Sequence, residues 1–430
     1  MRKSVWLGLF LALLFGWAVT ASAVQVGIHG QFAHKVQYSN TIGLMKDGVL
    51  DKDYEDINAA WASLQYRLWF DVASDDGNVK GVWAVEVGSE PFGALDTFDV
   101  ASAGDTNAYQ TRLAYVDVRL PWFASENRVS IGLQDIDISP WLFKEIATGI
   151  VNHGSFDAGT AKVEYQLGWV RAENDTFTSP EGYILPDTEY TDAWFGTVAF
   201  DVEPVKVKAF GVYINNDNPW YIGAEVSGTP MPGLDVALTG IYEGGSNDAD
   251  NYDYSAYLVA FNAGYQVNDQ FKASFCFWYA SGDDQPTTGD DEAYSAIKTD
   301  TFGSVIFFED AAFDDGVYVS SNPYVTDTNG FYIFRVRGDY QATPRLSVAG
   351  AVNYMAFAED YTSGTQSENS IGWEFDAYAN YELYKNVNVN LAAGYLVSGD
   401  ALDLINQDAT STTNDADNLY RVSVGLTYTF

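Results

Sequence analysis

The chain has 430 residues and a formal net charge of −37, from 59 acidic and 22 basic residues. Hydrophobic residues make up 47% and aromatic residues 16%, which is too much apolar material for a disordered acidic chain. Nucleic-acid binding is excluded because phosphate backbones are bound through clustered Lys and Arg. The single cysteine, Cys276, excludes an intramolecular disulfide, a cysteine-rich metal centre and covalently attached haem, and we expect no cofactor.

Residues 1–23 have the features of a secretory signal peptide. The segment starts with Arg2 and Lys3, continues with an apolar run and ends in small residues suited to cleavage after Ala23. The run is shorter than the ~20 apolar residues that a membrane helix needs. We therefore predict export through the periplasm and a single mature domain over residues 24–430.

From Val24 onward, apolar and polar residues alternate in segment after segment. The pattern is clearest at the end of the chain, where every second residue from Tyr420 to Phe430 is apolar and Arg421 and Ser423 lie between them. Successive side chains of a strand point to opposite faces, so the pattern predicts strands with one apolar and one polar face. We predict 18 strands, at 24–38, 59–73, 79–87, 108–120, 128–138, 149–158, 161–172, 192–202, 205–214, 219–227, 234–243, 252–267, 271–281, 330–341, 346–358, 371–383, 387–399 and 419–430.

The predicted connections are of two kinds that take turns along the chain. Tight turns alternate with long, acidic, Gly-, Ser-, Asn- and Thr-rich loops at 39–57, 88–107, 173–191, 282–329, 359–370 and 400–418. Short turns at one rim and long loops at the other are typical of outer-membrane barrels. The strand at 149–158 alternates weakly, and a 16-stranded barrel is the alternative if a second short segment, such as 219–227, is not a strand either.

We therefore predict an all-β fold, a transmembrane antiparallel up-and-down β-barrel with short periplasmic turns and long acidic extracellular loops. A closed sheet pairs every backbone N–H and C=O group, which lipid cannot do. A barrel of about 16 to 18 strands leaves a water-filled lumen, whereas one of about 8 strands is filled by its own side chains.

The last strand carries a resemblance to a known family. It ends in Phe430, with an aromatic residue at Tyr428 and apolar residues at every second position, and resembles the assembly signal of bacterial outer-membrane barrels. The whole chain is similar to the general porins of Gram-negative bacteria and, more loosely, to the acidic homotrimeric porins of anaerobic deltaproteobacteria. The resemblance implies a homotrimer in contact with the lipid bilayer and lipopolysaccharide, and diffusion of ions and small polar solutes.

The resemblance also implies that the third external loop folds into the lumen. By loop order this segment is Ser139–Ile146, which is more apolar than its neighbours and lacks the acidic Pro-Glu-Phe-Gly-Gly motif of enterobacterial porins. The candidate constriction residues are Asp135, Asp137, Trp141, Lys144 and Glu145.

Placing the apolar faces outward directs most of the scarce basic residues into the lumen. A ring of one charge sign selects against ions of that sign, so we predict a basic wall opposed by Asp135, Asp137 or Glu145. The alternative is that these residues keep the wall wetted and pair with Asp71, Glu86, Asp117, Glu164, Asp339 and Glu374. The predicted pore-lining residues are Arg67, Lys80, Arg119, Arg128, Lys162, Lys206, Lys208, Lys272, Arg335, Arg337 and Arg421.

The acidic loops suggest divalent cations as partners. Oxygen ligands are dense at 247–251, 282–284 and 290–292, but none of these stretches has the spacing of an EF-hand loop. Weak binding of divalent cations and a solvated, self-repelling rim are both compatible with this composition.

Three functions fit the predicted barrel. The first is a passive porin, the second is the sheath of a porin–cytochrome conduit, and the third is a substrate-specific channel with an aromatic track of Trp61, Trp69, Tyr115 and Tyr378. We do not expect an enzyme, because no Ser/His/Asp constellation can be located from the sequence. An outer-membrane phospholipase would need a lipid-facing Ser–His pair, and His29 falls on the polar face.

Overall fold

The computed structural model describes residues 24–42, 45–46, 49–50, 57–91, 110–122, 126–178, 184–215, 218–247, 252–284, 289–297, 303–306, 329–410 and 415–430. The predicted signal peptide lies outside these residues. Eighteen of the strands form one antiparallel sheet. They are β1 Gln25–Ile42, β2 Ile57–Ala73, β3 Val79–Pro91, β4 Gln110–Arg119, β5 Glu126–Ser139, β6 Phe143–Ala158, β7 Ala161–Thr178, β8 Ile184–Val202, β9 Val205–Ile214, β10 Pro219–Met231, β11 Leu234–Asn247, β12 Tyr252–Asn268, β13 Phe271–Ala280, β14 Phe331–Thr343, β15 Leu346–Ser363, β16 Gln366–Tyr384, β17 Val387–Ser398 and β18 Leu419–Thr429.

The sheet closes on itself through its first strand. β1 pairs with β2 on one side, where Gln25 lies opposite Ala73, and with β18 on the other, where Gln31 lies opposite Thr429. Each remaining strand pairs with its two neighbours in the sequence, so the topology is up-and-down. The predicted fold class is confirmed, with 18 strands and not the alternative 16. A barrel of this kind has no edge strand and leaves no row of unpaired backbone groups.

The two ends of the barrel differ in their connections. β1 begins and β18 ends at the rim that carries the short turns, such as 159–160, 232–233 and 385–386, and we call this rim the turn end. Gly233 and Asn386 adopt positive φ in two of these turns, as tight strand connections require. The opposite rim is the loop end, and it carries the long connections, of which 281–330 between β13 and β14 is the longest.

Several strands extend beyond their predicted bounds at the loop end. β7 and β8 replace most of the predicted loop 173–191, and β15 and β16 replace most of the predicted loop 359–370. β6 begins at Phe143 and not at residue 149. The extensions of β7, β8, β15 and β16 are polar or irregular in sequence, and pairing within each two-stranded ribbon holds them without an alternating apolar face.

The predicted loop 400–418 contains a helix, α1, over Asp400–Thr410. Asp400 and Asp403 lie in its first turn, where negative charge interacts favourably with the helix dipole. On one side Leu402 and Ile405 are buried, and they belong to the same apolar cluster as Phe357 of β15. The acidic composition of this stretch predicted a solvated loop, and the apolar residues at helical spacing explain why it folds instead.

The outer and inner faces of the sheet differ as the alternation predicts. Large apolar side chains on the outer face remain exposed, including Val26, Leu167 and Val336, each at least 60% accessible. The inner face carries most of the charged side chains of the strands, such as Arg67 and Glu86, which lie opposite each other in adjacent strands. Among the described residues, no helix is long and apolar enough to cross a membrane.

Candidate functional site in the barrel lumen

The inner wall of the barrel contains the basic residues predicted to line the pore. The register places them on the polar face of their strands, often directly opposite a carboxylate: Lys80 faces Asp117, and Lys208 faces Glu225. Ion pairs within the described residues are formed by at least seven of them, namely Arg67, Arg119, Arg128, Lys162, Lys206, Lys208 and Arg337. The wall is therefore one of mixed charge, in which carboxylates compensate most of the basic side chains, and not a ring of one sign.

The most buried of these pairs centres on Glu86 of β3. Its Oε2 accepts a hydrogen bond of 2.6 Å from Arg67 Nε and one of 2.8 Å from Arg112 Nη1. Only 5% of the Glu86 side chain is accessible. The arrangement holds two guanidinium groups beside the Glu86 carboxylate.

A second cluster surrounds Asp117 of β4. Arg128 donates to its Oδ1, while Ser130 Oγ donates to Oδ2 over 2.9 Å. His153 Nε2 lies 2.8 Å from Asp117 Oδ2 and 3.0 Å from Ser130 Oγ. The structure thus brings a serine, a histidine and an aspartate together, which the sequence could not locate. Both partners contact the same ring nitrogen, whereas a Ser-His-Asp relay uses the two nitrogens separately.

Asp71, Glu164, Asp339 and Glu374 complete the set of predicted carboxylate partners. Glu164 accepts hydrogen bonds of 2.8 Å from both Lys162 and Lys206, and Asp339 accepts from Arg337. Asp71 instead pairs with His29 of β1, at 2.8 Å. Glu374 contacts no basic side chain among the described residues, and its partners are described below.

The third connection at the loop end is a hairpin arm, which we define as residues 134–147. In the described sheet, pairing between β5 and β4 ends at Leu133, and pairing between β6 and β7 begins at Thr148. Between these points β5 and β6 pair with each other and leave the wall. The segment predicted to be a loop is thus mostly a two-stranded ribbon.

The arm crosses the lumen and contacts the opposite wall. Ser139 Oγ donates a hydrogen bond of 2.6 Å to Glu225 Oε1 of β10. The Trp141 ring lies 5.7 Å, centroid to centroid, from the ring of Trp278 on β13. Because β10 and β13 are far from β5 and β6 around the barrel, these contacts fix the arm across the interior.

The two faces of the arm differ in chemistry. Ile136, Ile138, Trp141, Leu142 and Phe143 are buried in a continuous apolar cluster with residues of β8–β14. Asp135 and Asp137 are exposed, and Lys144 and Glu145 are half-buried. Every residue predicted as a constriction candidate therefore belongs to this arm: Trp141 lies on its buried face, and Asp135 and Asp137 face water.

A second segment, from the connection between β13 and β14, also enters the lumen. Backbone N–H groups of Val305 and Ile306 donate to Glu374 Oε1 over 2.8 and 3.0 Å, and Ser304 Oγ donates to Oε2 over 2.7 Å. Arg421 Nη1 donates to the Val305 carbonyl at 3.4 Å. We call residues 303–306 the latch segment. Glu374 is fully buried, and the latch segment supplies its hydrogen bonds in place of the basic side chain that the alternative interpretation expected.

The first part of the same connection braces the arm. Tyr294 OH donates to the Trp141 carbonyl over 3.1 Å, and Ile297 N donates to the Leu142 carbonyl over 3.0 Å. Two segments from the loop end therefore fold into the lumen, of which the sequence analysis identified only the arm. The long acidic connection gave no periodic signal that predicts where it folds.

Two cavities open along the inner wall. The smaller, of about 320 Å³, lies beside β3–β7 under the arm, and Lys80, Tyr115, Asp117, Asp135 and His153 are among its lining residues. The larger, of about 700 Å³, lies beside β10–β14, and Cys276 is one of its lining residues. It is lined by the three basic residues Lys272, Arg335 and Arg337.

The aromatic residues proposed for a track lie in separate places. Arg335 Nη2 donates to Tyr378 OH at 3.2 Å, and the Arg337 guanidinium lies 4.6 Å from the centre of the Tyr378 ring. Tyr115 lines the smaller cavity, and Trp69 stacks on His29. The side chain of Trp61 lies outside the described part of the structure. Each described aromatic therefore packs against the wall in its own surroundings.

Three carboxylates of the acidic loops lie close together. Oxygens of Asp283, Asp284 and Glu292 are within 4.8 Å of one another. Burial raises the pKa of the neighbouring Asp291, and the charge of Asp283 raises it further. The predicted stretch 247–251 lies largely outside the described residues. The described cluster has the oxygen chemistry that divalent cations use, but the geometry alone does not define a site.

Comparison with known proteins finds similarity in structure but none in sequence. No protein-family model and no curated protein matches the chain. Solved structures from Pseudomonas aeruginosa do match: OccK11 (OpdR) has a TM-score of 0.57 at 10% identity, with 95% of this chain and 96% of that chain covered. The outer-membrane protein OpdK, solved with vanillate, has a TM-score of 0.57 at 12% identity, covering 94% and 98%.

OccK2 (OpdF), solved in complex with glucuronate, has a TM-score of 0.56 at 11% identity and covers 94% of this chain and 98% of its own. The similarity to these structures extends over nearly the whole length of both chains, but the identities are too low to carry more than the fold. The looser resemblance to deltaproteobacterial porins stays a prediction. The chain thus has the barrel fold seen in these Pseudomonas proteins.

Proposed function

We propose that the protein is a passive channel of the bacterial outer membrane for ions and small polar solutes. The observation that carries this proposal is the opposition of the two faces of one closed sheet. Exposed valines, leucines and aromatic residues cover the outside, whereas ion pairs such as Arg67–Glu86 line the inside. A soluble protein rarely exposes so large an apolar surface, and lipid is the solvent that stabilises it.

The arm and the latch segment make the channel selective in this proposal. Both lie within the lumen, so a solute passes the acidic face of the arm, with Asp135 and Asp137, and the basic wall around Arg335 and Arg337. Opposite charges on two sides of a narrow passage orient dipolar solutes, and the width of the passage limits the size of the solute. The same filling of the interior argues against a sheath for a multihaem partner, because the arm occupies the space that a partner would need.

A substrate-specific channel for small carboxylates is the second candidate. Arg335, Arg337 and Lys272 converge on the larger cavity, and guanidinium and ammonium groups pair well with carboxylates. Two structurally similar proteins were solved with vanillate and glucuronate, which both carry a carboxylate.

Planar-bilayer recording of the purified mature protein tests the channel proposal. We expect stepwise conductance, with steps in threes if the protein is the homotrimer that the porin resemblance implies. Liposome swelling with solutes of graded size then separates the two candidates: permeation that falls with size supports a general porin, and a preference for carboxylates unrelated to size supports a specific channel. Absence of conductance in correctly folded protein contradicts both.

A further inference from the structure

We propose that the smaller lumen cavity, beside β3–β7, is a binding site for a small zwitterion. The ligand class is a solute with one carboxylate and one ammonium group, such as an α-amino acid. The inference rests on the proposed channel function, since the solute must reach the lumen.

The cavity presents one basic and one acidic side chain, Lys80 and Asp135, that have no partner among the described residues. Lys80 of β3 and Asp135 of the arm both line its volume of about 320 Å³, and both side chains are exposed to it. In the described part of the chain, neither side chain takes part in a hydrogen bond or an ion pair. An ammonium and a carboxylate thus face the same water-filled space uncompensated.

The nearest carboxylate to Lys80 in the sheet register is already occupied. Asp117 lies directly opposite Lys80 in the adjacent strand, but Arg128 donates to its Oδ1, and Ser130 and His153 contact its Oδ2. The Asp117 carboxylate is therefore bound by Arg128, Ser130 and His153, and the Lys80 ammonium is left to bind a solute. Tyr115 and Gln166 add neutral hydrogen-bonding groups to the same cavity.

Charge matching makes a zwitterion the preferred occupant. Its carboxylate pairs with Lys80 while its ammonium pairs with Asp135, and charge-assisted hydrogen bonds of this kind are stronger than neutral ones. A simple anion gains the contact with Lys80 but is repelled by Asp135, and a simple cation meets the reverse situation. A neutral solute of the same size gains neither contact.

The test compares three solutes of similar size in liposomes that contain the full mature chain. Uptake of labelled alanine, lactate and lactamide is measured over a range of concentrations, because a binding site makes flux saturable. We expect alanine uptake to saturate at the lowest concentration and lactamide uptake to stay linear. Lys80→Met and Asp135→Asn each raise the half-saturation concentration for alanine by about fivefold, the effect of one partly exposed ion pair.

Matched controls remove the same charges elsewhere. Lys385→Met and Asp269→Asn lie in turn-end connections and leave alanine uptake unchanged. The charge-reversing substitutions Lys80→Asp and Asp135→Lys each abolish saturation of alanine uptake when made alone. The double variant that carries both restores it, because one group of each sign again lines the cavity. Linear alanine uptake in the unsubstituted protein, or an equal effect of the turn variants, overturns the inference while leaving the channel intact. Absence of uptake of all three solutes would instead contradict the channel itself.

Discussion

The two halves of the lumen are built from the same strands but differ in how far they are filled. On the inner face of β1, the Lys35 side chain near the loop end is 1% accessible, whereas the His29 side chain near the turn end is 53% accessible. The arm, the latch segment and α1 all lie in the loop-end half. Charges there act in a partly dry environment, where electrostatic interactions are stronger than in water, while those of the turn-end half are hydrated.

The largest effect is expected from releasing the arm. Leu142 and Phe143 are almost fully buried, and truncating such side chains to alanine costs about 2–5 kcal/mol each. The double variant Leu142→Ala with Phe143→Ala therefore undocks the arm and makes the loop-end half resemble the turn-end half. We expect a larger single-channel conductance and faster permeation of large sugars.

The control for this variant is Ile131→Ala, which removes a similar side chain from β5 on the outer face, where Ile131 is 53% accessible. It leaves the arm and the conductance unchanged. An arm variant that folds but conducts like the unsubstituted protein would show that the narrowest passage lies elsewhere.

Releasing the latch segment is expected to have a smaller effect. Glu374→Ala removes three hydrogen bonds from the latch segment, which contribute about 0.5–1.5 kcal/mol each, but it also removes the cost of burying a carboxyl group without a basic partner in the described structure. The latch segment then leaves the wall of β16 more often. A thiol reagent measures this: Val305→Cys, made in a Cys276→Ser background, keeps all three hydrogen bonds and reacts faster when Glu374→Ala is added.

Glu382→Ala is the matched control for the latch, because Glu382 lies on the same face of β16 near the turn end. Its removal leaves the reactivity of the thiol introduced by Val305→Cys unchanged. Equal acceleration by both variants would mean that loss of any inner-face carboxylate on β16 loosens the barrel, and the specific role of Glu374 would be lost.

The arm and the latch segment also show what a sequence of this kind can and cannot predict. Period-two alternation fixes the face on which a residue lies, so the inner position of Glu374 and the strand count followed from it. The arm was found because loop order and its apolar residues marked it. The partner of Glu374 was not predicted, because it depends on the path of a long acidic connection that has no periodicity. The latch segment also binds through backbone N–H groups, which every sequence offers.

The ion pairs of Glu86 and Glu164 differ in how far their carboxylates are exposed to water. Glu86→Gln removes the negative charge that Arg67 and Arg112 share, in a site where the Glu86 side chain is 5% accessible and water screens the remaining charges poorly. We expect the reversal potential in a salt gradient to shift towards anion selectivity. Glu164→Gln, which removes a carboxylate that is 39% accessible, shifts it much less. Equal shifts would show that the two halves are hydrated alike.

The smallest effect is expected at Lys162. Its Nζ lies 2.8 Å from Glu164 Oε1, a geometry as good as that of the buried pairs, but more than half of the side chain is in water. Water and salt screen such pairs, and Lys206 still pairs with Glu164 when Lys162 is replaced. Lys162→Met therefore leaves the thermal unfolding midpoint and the reversal potential unchanged within error. A shift as large as that of Glu86→Gln would mean that distance, and not burial, decides which charges govern permeation.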